Sequence, residues 1–155
     1  MATEHVPSIP KRRPVRVLRS HHFRPYRPHR VPTDALFEQV GRPTPGGVTW
    51  LWAQGDLDLA SVASARRELS ALVAPGRRPG IVLVYLGADL FVDLRGLRLL
   101  VDTAGRARSR RGALVVVAPP QSLVRLARLS HLDEALPLVG TAREAVRWAR
   151  GMEVG

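Results

Sequence analysis

Two strand-length apolar runs set the strongest limit on how this chain can fold. They are Ile81–Leu86 and Ala113–Ala118, and neither alternates apolar with polar residues as a strand with one wet face does. Such runs are typical of strands in a parallel sheet that is covered on both faces. A segment with helical spacing of apolar residues follows each run. The sequence therefore predicts an α/β domain with a mainly parallel or mixed sheet.

The segments around these runs complete the predicted order of elements. Ala35–Val40 and Val48–Gln54 have strand composition and flank a turn-rich stretch, so they are candidates for a hairpin, and Leu138–Val139 predicts a short strand. Thr141 and Glu144 form a capping box at the start of the last helix. Apolar residues recur at helical spacing in four segments, 62–73, 97–104, 122–129 and 142–149. The predicted order is two strands, helix, strand, helix, strand, helix, short strand, helix.

Proline and charge divide the chain of 155 residues into an arm and a domain. The first 45 residues hold eight of the thirteen prolines and a net charge of +6 out of a total of +11. Prolines at that density prevent a continuous helix, and repulsion between the cations opposes collapse. We predict a disordered Arg/Pro-rich arm over residues 1–33, one domain over 34–151 and a tail over 152–155.

The composition excludes several classes of site. The chain has no cysteine, which rules out a disulfide scaffold, a Cys-ligated zinc site and a thiol nucleophile. His131 is the single histidine of the predicted domain, and no serine elbow or Gly-rich phosphate loop accompanies it. We therefore expect no enzyme, no catalytic residue, no metal site and no cofactor.

The charge and the hydropathy limit the choice of partners. A net charge of +11 first suggests nucleic acid, but more than half of it lies in the predicted arm. Nucleic-acid contact through this arm remains an alternative, whose sign would be a steep dependence of binding on salt. No apolar run approaches the roughly 18 residues that a membrane helix needs. We expect a cytoplasmic protein without a membrane partner.

Two loops are the best candidates for a functional site. Gly55–Ala60 follows the second strand, and Phe91–Leu97 joins the central strand to the second helix. If these strands are parallel neighbours, both loops lie at their carboxyl ends, where the binding sites of open α/β sheets gather. Asp58 and Asp93 could also be simple helix caps. The residues alone leave both interpretations open.

Three segments resemble STAS domains, the fold of bacterial anti-sigma factor antagonists. Val48–Ala60 (VTWLWAQGDLDLA) resembles the strand and Gly-Glu-Leu-Asp-hydrophobic loop of that family, and Ile81–Leu100 resembles its central strand and Asp-Ser-Ser-Gly-Leu turn. Ala113–Val139 resembles the last major strand, a helix and a Leu-Asp-x-x-Leu-Pro run. The resemblance covers about residues 35–150 in order and spacing.

The resemblance implies a STAS-like mixed β-sheet with helices packed mainly on one side, and a docking surface for a protein. In the family, the partner is an anti-sigma factor of ATPase or kinase fold. The unphosphorylated antagonist sequesters this partner and frees the sigma factor, and phosphorylation of a serine in the turn ends the association. Carried over by position, the partner-binding residues would be Asp56, Leu57, Asp58, Leu59, Asp93, Leu94, Arg95, Gly96 and Leu97.

The departures from the family motif bear on regulation. Leu94 and Arg95 stand where the family has its two serines, so Arg95 occupies a degenerate phosphoacceptor position. Asp56 replaces the loop glutamate, and Tyr85 aligns with a second acid of the family. We predict an antagonist-like module in transcription regulation that phosphorylation at this turn cannot switch. The alternative is a degenerate scaffold or sensor module in another regulatory complex.

Overall fold

A five-stranded mixed sheet with four helices makes up the part of the protein that the computed structural model describes, residues 35–40, 47–76 and 78–152. The predicted arm and residues 153–155 of the predicted tail lie outside these ranges. The strands are β1 (Phe37–Val40), β2 (Val48–Ala53), β3 (Ile81–Tyr85), β4 (Ala113–Val117) and β5 (Leu138–Val139). The helices are α1 (Val62–Leu72), α2 (Leu94–Ser109), α3 (Gln121–Leu129) and α4 (Ala142–Met152).

The strands follow one another across the sheet in the order β1-β2-β3-β4-β5. β1 pairs with β2 in the antiparallel direction, as the hairpin prediction requires, and the other three pairs are parallel. At the carboxyl end of β2 and β3, Trp52 pairs with Tyr85, and Tyr85 pairs with Val117. Because β2 and β3 are parallel neighbours, the loops that follow them leave the sheet at the same edge.

The two central strands are buried on both faces, which explains why they carry no polar alternation. Val82 and Val84 of β3 face a core formed with α1, α2 and α3. Leu83 and Tyr85 face the opposite side, where Ala145 and other alanines of α4 pack against the sheet. Three helices thus cover one face and the last helix covers the other. The expected STAS-like sheet with helices mainly on one side is confirmed.

A carboxylate on α1 fixes the start of the edge strand. Glu68 accepts hydrogen bonds from the backbone N–H groups of Leu36 (3.0 Å) and Phe37 (3.1 Å). Leu36 precedes β1 and Phe37 is its first residue, so the carboxylate satisfies two backbone donors at the start of the strand. No helix in the described ranges is both long and apolar enough to cross a membrane.

Candidate functional site

The loops after β2 and β3 are joined by backbone pairing into one unit. Leu57 and Val92 form a parallel bridge beyond the ends of their strands. The N–H of Leu57 donates to the carbonyl of Phe91 at 2.8 Å, and the N–H of Asp93 donates to the carbonyl of Leu57 at 3.1 Å. The side chain of Leu57 points into the core and is buried. The sheet therefore extends into the two loops at this edge.

Two carboxylates then cross-link the loops in both directions. Asp56, on the first loop, accepts from the N–H of Phe91 on the second at 2.8 Å. Asp93, on the second loop, accepts through Oδ2 from the N–H of Leu59 on the first at 3.1 Å. Its other oxygen, Oδ1, caps α2 by accepting from the N–H of Gly96 at 2.9 Å. Hydrogen bonds from backbone N–H groups to a carboxylate are stronger than neutral ones, so the loops are held in one conformation.

Asp58 has a more local role. Its Oδ1 accepts from the N–H groups of Ala60 (2.9 Å) and Ser61 (3.3 Å), which tightens the turn before α1. Ser61 is the N-cap residue of α1, and its hydroxyl donates to the carbonyl of Asp56 at 2.6 Å. The helix-cap interpretation therefore describes part of the role of Asp93, whereas Asp58 shapes the turn that leads into the cap.

The remaining predicted site residues divide into buried and outward-facing ones. Gly96 and Leu97 are buried beside Leu57 and support the surface from within. Leu94 is half-buried at the first position of α2. Arg95 is exposed, and within the described part of the chain no carboxylate forms an ion pair with it. Neither Leu94 nor Arg95 carries a hydroxyl that could accept a phosphoryl group.

Large apolar side chains stand on the outer surface of these loops. Leu59 is 63% exposed on the first loop, and Phe91 is 55% exposed on the second. Sequence analysis placed Phe91 in the second candidate loop, but the partner-binding residues carried over from the family include Leu59 and not Phe91. The pattern of Leu90, Phe91 and Val92 contained the signal, because alternation that buries Val92 turns Phe91 outward.

The described residues at the loop edge combine exposed apolar side chains with hydrogen-bonded loops. No group of three His, Asp or Glu side chains that could hold a metal ion occurs among them. His131 is exposed just past the end of α3, at a positive φ of 59°, with its N–H donating to the carbonyl of Arg128. The arrangement at the loop edge offers apolar contact, one exposed cation and a fixed backbone.

Comparison with known protein families assigns most of the described chain to one family. A family model described as "Mlab, STAS domain" matches residues 41–140, about two thirds of the chain. The chain belongs to the STAS domain family. No curated protein matches it.

Solved structures share the fold of this STAS domain at low sequence identity. An anti-sigma-factor antagonist (STAS) domain protein from Planctomyces limnophilus superposes with a TM-score of 0.60 and 20% identity, covering 74% of this chain and 97% of that one. An anti-sigma factor antagonist candidate from Thermotoga maritima gives 0.61 and 18%, covering 74% and 94%. The antagonist SpoIIAA of Bacillus in its unphosphorylated form gives 0.57 and 18%, covering 74% and 96%. At these identities the likeness establishes the fold.

Proposed function

We propose that this STAS domain is a protein-binding module of the anti-sigma factor antagonist type. In this role it captures an anti-sigma factor of ATPase or kinase fold through residues 55–60 and 91–97, and it acts in transcription regulation in the bacterial cytoplasm. The chain performs no catalysis in this role. The observation that carries the proposal is the exposure of Leu59 and Phe91 on loops that hydrogen bonds lock together.

Large exposed hydrophobic side chains are concentrated at this edge of the sheet. Three large hydrophobic side chains are exposed in the described part of the chain, and two of them, Leu59 and Phe91, belong to this one edge. The third, Leu129, lies at the end of α3. Exposed apolar groups that gather on one surface mark an interaction site, whereas a single exposed one needs no explanation.

Rigidity of the loops favours binding. Asp56 and Asp93 already satisfy backbone donors of both loops in the free chain. A partner therefore meets a surface that loses little conformational freedom on association, which lowers the entropic cost of the complex. The exposed guanidinium of Arg95 adds a group that is common at interfaces and suits a carboxylate on the partner.

Positions 94 and 95 have no hydroxyl group, so we propose that phosphorylation of this turn does not regulate the complex. A phosphorylated serine would add about −1.5 to −2 charges at the start of α2. Arg95 instead holds a constant positive charge there. The complex would therefore respond to the amounts of the competing proteins and not to phosphorylation of this turn.

The test is affinity capture of partners with the full-length chain from its native cell. The double variant Leu59→Ser/Phe91→Ser removes the apolar surface, and Leu129→Ser is the matched control at a distant exposed leucine. We expect the wild type and the control to retain an anti-sigma factor of ATPase fold and the double variant to lose it. Equal recovery by all three chains, or capture without any such protein, would contradict the proposal.

The second candidate is a scaffold or sensor module in another regulatory complex. The observation that favours it is the exposed Arg95 at the position where the family has its phosphoacceptor serine. The same capture experiment separates the two candidates. Loss of a partner without an ATPase fold from the Leu59→Ser/Phe91→Ser variant would support the scaffold role.

A further inference from the structure

A second surface lies between β2 and α4, on the face of the sheet opposite α1, α2 and α3. It is a groove of about 590 Å³. Its described apolar residues are Val48 and Trp50 of β2 with Ala142 and Val146 of α4. The other described residues of its lining are arginines of α4. The partner-docking loops proposed above contribute no residue to it. The groove is therefore a separate feature of the molecule.

The charge along this groove is of one sign. Arg143, Arg147 and Arg150 are spaced four and three residues apart, so they lie along one side of α4, and all three are exposed. Among the described residues, no carboxylate lines the groove. Glu144, the one acid of α4, lies at the start of the helix and accepts from the N–H of Gly140 at 3.0 Å. The arginines consequently have no acidic counterpart on their own helix.

We propose that this groove binds an acidic amphipathic helix of a partner protein. Apolar side chains of that helix would occupy the space above Trp50 and Val146, while its carboxylates would pair with the arginines. A helix carries both kinds of group in the required arrangement, since one face is apolar and the flanking positions are free to be acidic. The charges are complementary, which guides the orientation of the partner and speeds its association.

Other occupants match the groove less well. Nucleic acid draws its affinity from many phosphate contacts and would leave the apolar floor unused. A membrane surface receives apolar side chains that protrude, whereas Val48, Trp50 and Val146 are half-buried. A second copy of the chain would bring the same arginines against these ones in a symmetric dimer. Residues 1–34 hold eight Lys and Arg against two Asp and Glu, so this segment would be repelled.

The test measures binding of a synthetic peptide to the full-length chain by fluorescence anisotropy. The probe is a fluorescein-labelled 16-residue helix with leucines at positions i, i+3, i+4 and i+7 and glutamates beside them. The variant is Arg143→Gln/Arg147→Gln/Arg150→Gln. The control, Arg108→Gln/Arg125→Gln/Arg128→Gln, removes the same charge from exposed positions of α2 and α3. A second probe has glutamine in place of each glutamate.

We expect the groove variant to raise the Kd for the acidic peptide about tenfold and the control to leave it unchanged. Val146→Ser should weaken binding without changing the charge, and the glutamine probe should bind as weakly to the wild type as the acidic probe does to the groove variant. Arg147→Gln alone, expected to weaken binding about threefold, gives the same answer if the triple variant fails to fold.

Three outcomes would overturn the proposal. The first is no binding of the acidic peptide to the wild-type chain below about 1 mM. The second is an equal loss of affinity in the control, which would mean that only the net charge matters. The third is a loss of binding to vesicles of anionic phospholipid, or to a single-stranded DNA, in the Arg143→Gln/Arg147→Gln/Arg150→Gln variant while binding of the acidic peptide is unchanged.

Discussion

Gly96, in the first turn of α2, packs directly against the backbone of Leu57. A Cβ atom at position 96 would lie 2.3 Å from the carbonyl oxygen of Leu57 and 2.8 Å from its Cγ. That carbonyl already accepts the N–H of Asp93, so it cannot turn away without breaking the bridge between the two loops. The glycine thus lets the start of α2 approach the first loop closely enough for Asp93 to reach Leu59.

Replacing Gly96 with alanine is expected to destabilise the protein although alanine favours helices. The added methyl group meets backbone and not the end of a flexible side chain, so the first loop must move, at a cost of about 1–3 kcal/mol in the free energy of unfolding. Chemical denaturation measures this change. Affinity capture with the same variant should also show weakened binding of the proposed partner, because Leu59 moves with the loop.

Gly105, on the same helix, is the matched control. A Cβ there meets nothing within 4 Å, and the residue is exposed. Gly105→Ala should therefore stabilise the protein by about 0.5–1 kcal/mol through the lower entropy of the unfolded chain. Destabilisation by both substitutions would show that the close approach of Gly96 to Leu57 is not the cause.

Asp93 is expected to hold the first loop as well as to cap α2. Asp93→Ala leaves the N–H groups of Gly96 and Leu59 without their acceptor and should lower the free energy of unfolding by about 1–2 kcal/mol. Hydrogen exchange should speed up at the amide of Leu59 as well as at Gly96. Asp102→Ala, at an exposed position of the same helix, should change stability by less than about 0.5 kcal/mol. A change confined to Gly96 would mean that Asp93 acts as a cap alone.

The strands and helices were predictable because burial leaves a pattern in the residues. β3 and β4 carry continuous apolar runs since both of their faces are covered. Each helix carries a stripe of apolar residues at helical spacing because one of its sides is buried. A stripe shows that a helix buries a face, but it does not show which side of the sheet receives it. The placement of α4 opposite the other helices therefore depends on the fold and not on its own sequence.

The meeting of the two loops at one edge of the sheet was predictable, but the contacts between them were not. Parallel neighbours β2 and β3 required the loops to meet at one edge. The partners of Asp56 and Asp93 are backbone N–H groups, which every residue except proline offers, so no residue type indicates the pairing. The resemblance to STAS domains singled out Gly96 as a residue of the turn motif. The structure shows why a glycine is needed there, because a Cβ would meet the backbone of Leu57.

Tyr85 makes the stability of the domain sensitive to alkaline pH. Its side chain is 5% exposed, stacks on Trp52 with ring centroids 4.5 Å apart, and has no hydrogen-bond partner for its hydroxyl among the described residues. Burial raises the pKa of this hydroxyl well above its ordinary value of 10. The folded chain then keeps a proton that the unfolded chain releases above pH 10, so the folded state loses stability as the pH rises beyond that point.

The variant Tyr85→Phe isolates this effect. It keeps the ring on Trp52 and removes the titrating group, so the fall in the free energy of unfolding above pH 10, up to about 1.4 kcal/mol per pH unit, should shrink. Few other groups interfere because the chain has two tyrosines and one lysine, and arginine stays charged in this range. Denaturation between pH 8 and 11 provides the measurement. Identical slopes for the wild type and the variant would exclude Tyr85 as the source.

Arg95→Ser tests whether the turn still fits a kinase-type partner. Incubated with the captured ATPase-fold protein and ATP labelled at the γ-phosphate, the wild type should stay unlabelled because neither Leu94 nor Arg95 has a hydroxyl. The variant should become labelled at position 95, since Asp93 fixes the start of α2 around that residue. Leu94→Ser is the matched control, and its half-buried side chain should prevent transfer. If Arg95→Ser binds the partner and remains unlabelled, the partner does not present its phosphates to this turn, and the expectation that the turn fits a kinase-type partner is wrong.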